Sequence, residues 1–394
     1  MSQIHGHYDP AFKSLVDLFQ QFLDQGEELG GSLCIDVDGK TVLDIWGGYA
    51  DVASAHPWAS DTLTVVWSSS KIITNLAAMV LVDRGQLDLD ARVSSYWPEF
   101  AANGKENVLV RNILSHTSGL SGFEDITREE LYDTPVATAK LAAQKPWWTP
   151  GTVSGYHMIT QGFLVGELVR RISGKSLKQF IADELAGPLH ADFRLGLPNN
   201  EYDTTRTAEI IPPPPFSPSN LDLSRMPLAL KTFTQPPMKA EYSMTRGFRD
   251  AEIGASNGFT NARALTKLGS IVSLGGTVPV DGKPCQILSQ KTVDRMVEEQ
   301  IRSVDLVMGT EMSFALGFSL PTHSSQPWFP EKSTPLAAWG GWGGSLVAMD
   351  VFERATISYT PNKMGSGILG SKRSIAYAEA FFPALEEYKK KAKA

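Results

Sequence analysis

The chain has 394 residues, of which 42% are hydrophobic and 20% charged, with a formal net charge of −7. That length allows two or three compact units, or one large domain with an insertion, and it suffices to bury a sizeable core. The acidic balance leaves no electrostatic footprint for nucleic acid, no run is apolar enough to span a membrane, and two cysteines, Cys34 and Cys285, make no disulfide framework.

The opening residues Met1 to His7 show no basic region followed by an apolar one, so no secretory signal is expected. Together with the sparse cysteines this fits a reducing, cytoplasmic setting. From Ala11 to Leu23 the residues Phe12, Leu15, Leu18, Phe19 and Phe22 recur at helical spacing, and Asp9-Pro10 is a start signal. Ser32–Val37 and Thr41–Trp46 read as strands of a hairpin around Asp38-Gly39-Lys40. A β-type run, Thr62–Trp67, leads into a helical pattern from Asn75 to Asp83. In Leu87-Asp88-Leu89-Asp90 the acidic pair looks like a metal cluster, but alternation explains it better: leucines inward, aspartates to water.

Helical stretches dominate the middle of the chain: Val110–Ser115, Gln161–Ile172, Leu177–Leu185, Asn261–Leu274 and Ser289–Gln300. Residues 211–218 are too rich in proline for helix or central strand and read as a connection or extended wall. Strand texture returns at Phe314–Leu320, Ser345–Asp350 and Arg354–Thr360, and a helix over Ser374–Tyr388 closes the chain. The lysines at 389–391 and 393 read as its solvated end. Strands at both ends and helices between predict an α+β fold: a mainly antiparallel sheet flanked by helices, plus a mostly helical insertion. The expected division is 1–85 with 260–394 for the sheet unit and 86–259 for the helical unit.

Ser68 and Lys71 stand three apart, so on a helix they share one face. A helix N-terminus adds free N–H groups and a positive dipole end. The serine there has a proton acceptor beside it and a place to stabilise an oxyanion. Alone the spacing is weak, since an N-capping serine and a solvated lysine produce it too.

Three further stretches follow in order: His116-Thr117-Ser118-Gly119-Leu120, Pro150–Met158 with Tyr156, and Trp339-Gly340-Gly341-Trp342. With the Ser68 motif, they make the chain resemble the class C β-lactamase / DD-peptidase superfamily, and within it the family VIII serine esterases and related fungal transesterases. The resemblance runs from about residue 12 to 385. It implies a β-lactamase/DD-peptidase-like fold with the active site in the cleft between the two units. It makes Ser68 the nucleophile, Lys71 the adjacent amine and Tyr156 the tyrosine of a Y-x-N element. Trp339-Gly340-Gly341 would stand for K-T-G or H-x-G on the strand lining the site. The backbone N–H groups of Ser68 and Trp342 would form the oxyanion hole.

A serine hydroxyl needs a base to take its proton. A lysine ammonium favours a nearby phenolate, so Lys71 and Tyr156 are expected to act as a coupled base whose proton belongs to the pair. Met158 replaces the asparagine of Y-x-N, and Trp339 replaces a cation that would meet a substrate carboxylate. Neutral, apolar acyl groups are therefore expected, with Trp339, Gly340, Gly341, His157 and Trp148 as candidate substrate contacts, and plain packing as the other reading of Trp147 and Trp148. Lysine at 339 should narrow the gap between esters and β-lactams, provided the indole does not hold the strand. His116 reads as structural. Gly254-Ala255-Ser256-Asn257-Gly258 spells a nucleophile elbow, with Asp294 and His323 in order, but no buried strand precedes it.

The leading reading is a serine hydrolase cleaving carboxylic esters through an acyl-enzyme on Ser68. The alternative is a transesterase that passes the acyl group to an alcohol or amine of a natural product. A β-lactamase or a non-catalytic protein on the same fold ranks lower. The expected partner is a small ester or acyl substrate, with no cofactor or metal. Oligomeric state stays open.

Overall fold

The computed structural model describes residues 3–197, 206–214, 226–330 and 335–393. Six strands form its main sheet, in the spatial order Ile4–Tyr8, Lys40–Gly48, Gly30–Val37, Ala355–Pro361, Leu346–Asp350 and Leu336–Gly340. Every neighbouring pair is antiparallel. The two ends of the chain meet where Gly30–Val37 pairs with Ala355–Pro361. The hairpin turns through Asp38 and Gly39, at φ 52° and 80°. Two consecutive positive φ values in a two-residue loop match the twist of the flanking strands. Ile4–Tyr8 has no sequence signature because it is an edge strand with a mostly exposed surface, which needs no apolar alternation.

Side chains alternate across this sheet with period two. Leu33, Ile35, Ala348, Ile357 and Tyr359 meet Leu15, Phe19 and Phe22 of the helix Lys13–Asp24 and Tyr377, Phe381 and Leu385 of the closing helix. Val347 and Met349 join the opposite cluster, with Leu265, Leu268 and Val272 of the helix Ala262–Ser273. Gly269 lets that helix sit close: a Cβ there would lie 3.0 Å from Thr356 Cγ2 and 3.1 Å from Val347 Cγ1. The closing helix runs Lys372–Lys393, longer than its apolar pattern. Its base is tied down by Arg373, which pairs with the buried Glu28 and donates to Lys363 O.

The helix Ser70–Asp83 is buried from Ser70 to Leu81, as expected of a segment apolar on all sides. It packs against the helices Thr160–Ser173 and Leu177–Ile181. Leu87 and Leu89 are buried while Asp88 and Asp90 face solvent. Among the described residues no group of His, Cys, Asp and Glu could hold a metal ion, and no helix is long and apolar enough to cross a membrane.

Two elements late in the chain differ from expectation. The helix expected over Ser289–Gln300 is Gln290–Met296, after which Ile301–Val304 pairs with Glu311–Phe314. The strand expected over Phe314–Leu320 stops at Phe314. Gly317, at φ 105°, turns the chain against Asn75, where a Cβ would lie 2.4 Å from the Asn75 Cβ. Of the proline-rich stretch, Ile211 bridges to Lys363, and residues 215–218 lie outside the described residues.

Candidate active site

The expected strand before Ser68 shrinks to Thr64–Val65, and Ser68 sits in a tight turn, Trp67–Ser69, just before the helix Ser70–Asp83. Trp67 adopts φ 48°, a left-handed value that is strained for so bulky a residue. Hydrogen bonds fix the turn from three directions. Ser345 Oγ donates to Val66 O at 2.8 Å and accepts from Ser69 Oγ at 3.0 Å. Ser70 Oγ donates to Trp67 O at 2.5 Å. The same Ser70 oxygen accepts the Gly258 N–H at 2.9 Å.

Lys71 Nζ lies 3.2 Å from Ser68 Oγ. It donates to Met158 O at 2.7 Å and to Ala255 O at 3.0 Å. The lysine is fully buried, and burial pushes its amine well below the ordinary lysine value. Tyr156 Oη donates to Ser68 Oγ at 2.8 Å. Burial also pushes this phenol far up, against smaller opposite effects of Ser68 and of the Trp339 indole. That indole N–H closes no complete hydrogen bond, so its influence is weak.

Burial therefore opposes the ammonium–phenolate pair expected from the sequence and favours the neutral form of both groups. A neutral amine has two hydrogens and one lone pair. The two carbonyls take the hydrogens, which leaves the lone pair for the Ser68 proton. The resulting chain runs from the tyrosine hydroxyl to the serine oxygen to the lysine nitrogen.

Aromatic rings surround Tyr156. His116 lies 5.1 Å from it and Trp339 5.2 Å, between ring centroids. Trp339 also packs on Phe314 at 5.9 Å and on His116 at 6.1 Å, and is only 4% exposed. The expectation of an indole presented to the acyl group is thus corrected: Trp339 is a wall behind the tyrosine.

His157 needs the same correction. It is fully buried; Nδ1–H donates to Gly155 O at 2.6 Å, so Nε2 accepts from Ser118 Oγ, also at 2.6 Å. Burial lowers its pKa to about 3, so it stays neutral and unavailable to substrate. His116 is buried too, and its Nδ1 accepts the His157 N–H at 3.1 Å, a structural use. Trp148 is half-buried, with its indole N–H on Val153 O at 3.0 Å and its ring edge-on to His157. Trp147 donates to Glu124 Oε2 at 3.2 Å.

The strand end Trp339–Gly340 and the turn after it approach the Ser68 turn very closely. A Cβ on Gly341 would lie 2.2 Å from Val66 O. Only glycine permits that approach. It brings Trp342 beside the Ser68 turn, its ring 5.2 Å from Trp67, which in turn lies 5.6 Å from Phe248. Among the described residues neither the Ser68 N–H nor the Trp342 N–H donates to a backbone acceptor.

Ser256 is 3% exposed and its hydroxyl has no partner among the described residues, whereas Asp294 and His323 are exposed. No triad forms there. The stretch serves the other site, since Ala255 O holds Lys71 and Gly254 O accepts Thr74 Oγ1 at 2.6 Å. Sequence reasoning missed these carbonyls, and it missed Trp67 as a ring neighbour of Trp342.

The Beta-lactamase family profile matches residues 15–380. The chain is 33% identical over 378 residues to the esterase/beta-lactamase LipL of Mycobacterium tuberculosis, which covers 93% of this chain and 85% of that protein. It superposes on a family VIII carboxylesterase with a TM-score of 0.88 at 35% identity, covering 97% of this chain and 100% of that one. A penicillin-binding protein homolog from Caulobacter crescentus gives a TM-score of 0.86 at 32% identity, over 97% and 100% of the two chains.

Proposed function

On the premise that the chain belongs to the Beta-lactamase family, we propose that it is a serine esterase that cleaves neutral carboxylic esters through an acyl-enzyme on Ser68. One observation carries the reading. The buried Lys71 amine lies 3.2 Å from Ser68 Oγ, with Met158 O and Ala255 O as its other two partners, and its neutral form, with both hydrogens on those carbonyls, has its lone pair left for the Ser68 proton. Ser68 gives its proton to Lys71 Nζ while Oγ bonds to the ester carbonyl carbon. The carbonyl oxygen becomes an oxyanion between the N–H groups of Ser68 and Trp342. As the intermediate collapses, the bond from carbonyl carbon to alcohol oxygen breaks. Tyr156 passes its proton to the departing alkoxide, and its phenolate takes back the proton that the Lys71 ammonium received from Ser68; Lys71 Nζ lies 4.9 Å from the phenol ring centre. Water then repeats the sequence on the acyl-enzyme and releases the acid. A general base typically contributes about 10²–10⁴-fold and one oxyanion donor about 10²–10³-fold.

The preference for neutral esters is supported by what surrounds Ser68. Burial lowers the Lys71 pKa and so disfavours its cationic form, and the position that could carry a cation holds the buried Trp339. A substrate carboxylate would be desolvated there unpaired.

The test is intact-mass measurement after brief exposure to a panel of activated esters. An adduct of the acyl mass should appear on the wild-type chain and be absent from Ser68→Ala. An adduct that persists in Ser68→Ala would place the chemistry elsewhere. Adding short alcohols or amines to the same reaction reads out the acceptor, and dominant transfer would make the protein a transesterase on the same acyl-enzyme.

A further inference from the structure

Tyr156 reaches Ser68 from a loop without regular structure, yet its hydroxyl is held at 2.8 Å. The rings around it set the tilt of the phenol. His116 holds the backbone on either side, accepting the N–H groups of Gly155 and His157, and the N–H of Tyr156 itself is anchored by Asp305, at the turn between the strands Ile301–Val304 and Glu311–Phe314.

We propose that Asp305 is a positioning residue for the reaction, whose buried carboxylate clamps the backbone of Tyr156 so that the phenol meets Ser68. Asp305 is 0% exposed. Its Oδ1 accepts the backbone N–H of Tyr156 at 3.0 Å. The same oxygen accepts the N–H groups of Val307 and Met308, each at 2.9 Å. One oxygen therefore joins the tyrosine loop to its own turn. Around it the two segments are stitched further. Leu306 N–H donates to Ser154 O at 2.9 Å, and Ser154 N–H to Ser303 Oγ at 3.2 Å. Charge-assisted bonds from a carboxylate to N–H groups are about twice as strong as neutral ones.

The carboxylate also acts at a distance. Among the described residues Oδ2 closes no complete hydrogen bond; burial raises the Asp305 pKa, and the N–H groups on Oδ1 and the Ser154 hydroxyl oppose that rise and favour the ionised form. Its negative charge helps to keep Tyr156 protonated. A protonated phenol is what a group that delivers a proton to a leaving alkoxide must be. A buried charge used only for stability is poorly placed here, since desolvation opposes it.

The inference rests on Tyr156 belonging to the reacting set, so the experiment is a double-mutant cycle of Asp305→Asn and Tyr156→Phe. Asparagine keeps the shape and one acceptor oxygen but removes the charge. On a neutral p-nitrophenyl ester, Asp305→Asn should lower kcat about tenfold or more with KM within about threefold, and cost less than about twofold once Tyr156→Phe is present. Equal losses in both backgrounds, or a loss confined to KM, would mean that the carboxylate is merely structural and would overturn the inference. If Tyr156→Phe keeps full activity, the proposed function and the inference fall together. If Tyr156→Phe is inactive but Asp305→Asn is not impaired, only the inference falls. Circular dichroism and melting temperature check folding. Should Asp305→Asn not fold, Ser303→Ala loosens the same loop and leaves the carboxylate in place. It should lower kcat in the Tyr156 background alone, and an equal loss in both backgrounds again overturns the inference.

Discussion

The carbonyl oxygen of Met158 accepts the Lys71 amine at 2.7 Å, and the methionine side chain takes no part in that contact. The related motif has an asparagine at this position, and its replacement removes a side-chain amide from the site. The contact that orients the proposed base is a main-chain one, so it survives the change of side chain. Met158→Asn should therefore leave ester turnover within about tenfold, whereas Lys71→Ala should lose about 10²–10⁴-fold in kcat. Turnover of a p-nitrophenyl butyrate series measures both. Comparable losses in the two variants would count against the main-chain account.

The protonation state of Lys71 gives a direction in pH. The proposed base is the neutral amine, and burial lowers its pKa well below 10.5. Activity is thus present above the folded-state pKa of Lys71 and is lost as pH falls through it. The limb should sit well below the range of an exposed lysine. A profile of kcat/KM against pH in the wild type should show this rise. Lys71→Arg, which keeps its proton throughout, should show no such rise and little activity. A wild-type rate that falls between weakly acidic and weakly alkaline pH would reverse the assignment.

Gly341 sets the distance between the two proposed oxyanion donors. A Cβ there meets the Val66 carbonyl oxygen at 2.2 Å, and that oxygen already accepts Ser345 Oγ and the Ser69 N–H. The backbone must shift, because the clashing atom is not the end of a flexible side chain. Gly341→Ala should move the Trp342 N–H off the oxyanion position and cost about 10²–10³-fold in kcat, with less effect on KM. Gly340→Ala meets its nearest atom, Ser345 O, at 3.0 Å and should be milder. Equal losses in the two variants would mean that the whole strand end, rather than one donor, has been disturbed.

How far the sequence carries can be seen residue by residue. Ser68 and Lys71 are legible because three-residue spacing on a helix is a local property. The antiparallel sheet made from both chain ends is legible because its buried strands alternate or run apolar. Ile4–Tyr8 is not, since an exposed edge strand has no pattern to keep. Met158 O and Ala255 O leave no trace, because every residue carries a carbonyl and only the tertiary fold aims these two. Trp339 and His157 look like pocket residues beside a reacting group. Their burial is decided by Phe314, His116 and Ser118, which are distant in sequence from at least one of them. Asp305 is one acidic residue among 43 until the Ile301–Val304 and Glu311–Phe314 hairpin places it under Tyr156.

Stability should depend on the ion pair between Arg373 and Glu28, whose side chains are 4% and 0% exposed. Burial raises the pKa of Glu28, and Arg373 and the Tyr359 hydroxyl oppose that rise. Arg373→Met leaves the carboxyl buried without its cation, which typically costs about 3–5 kcal/mol. In the variant the folded-state pKa climbs further above the unfolded value. The unfolded chain then releases a proton that the folded chain keeps, so stability falls as pH rises between those two values. Denaturant melts should show a larger deficit at pH 8 than at pH 5. A deficit that shrinks with rising pH would contradict an uncompensated Glu28.

At Trp339, lysine is expected from the sequence to help a carboxylated substrate only if the indole does not hold the strand. It does hold it: the ring packs on Tyr156, His116 and Phe314 and is 4% exposed. A lysine ammonium placed there would lose its water among aromatic rings and gain no carboxylate partner from the fold. Its pKa would drop, as that of Lys71 does, and a neutral amine attracts no anion. Loss of the indole would also leave the Tyr156 ring without its wall, at a typical cost of about 3–5 kcal/mol for removing a buried aromatic. Trp339→Lys should therefore lower kcat/KM for a neutral ester without raising it for a cephalosporin. Trp339→Phe keeps most of the wall and removes the indole N–H, so it should retain more ester activity and the same preference. The measurement is kcat/KM for one cephalosporin and one matched neutral ester in all three proteins. A gain on the cephalosporin in Trp339→Lys would show that the position reaches the substrate after all, and that the cage around Tyr156 opens when a ligand binds.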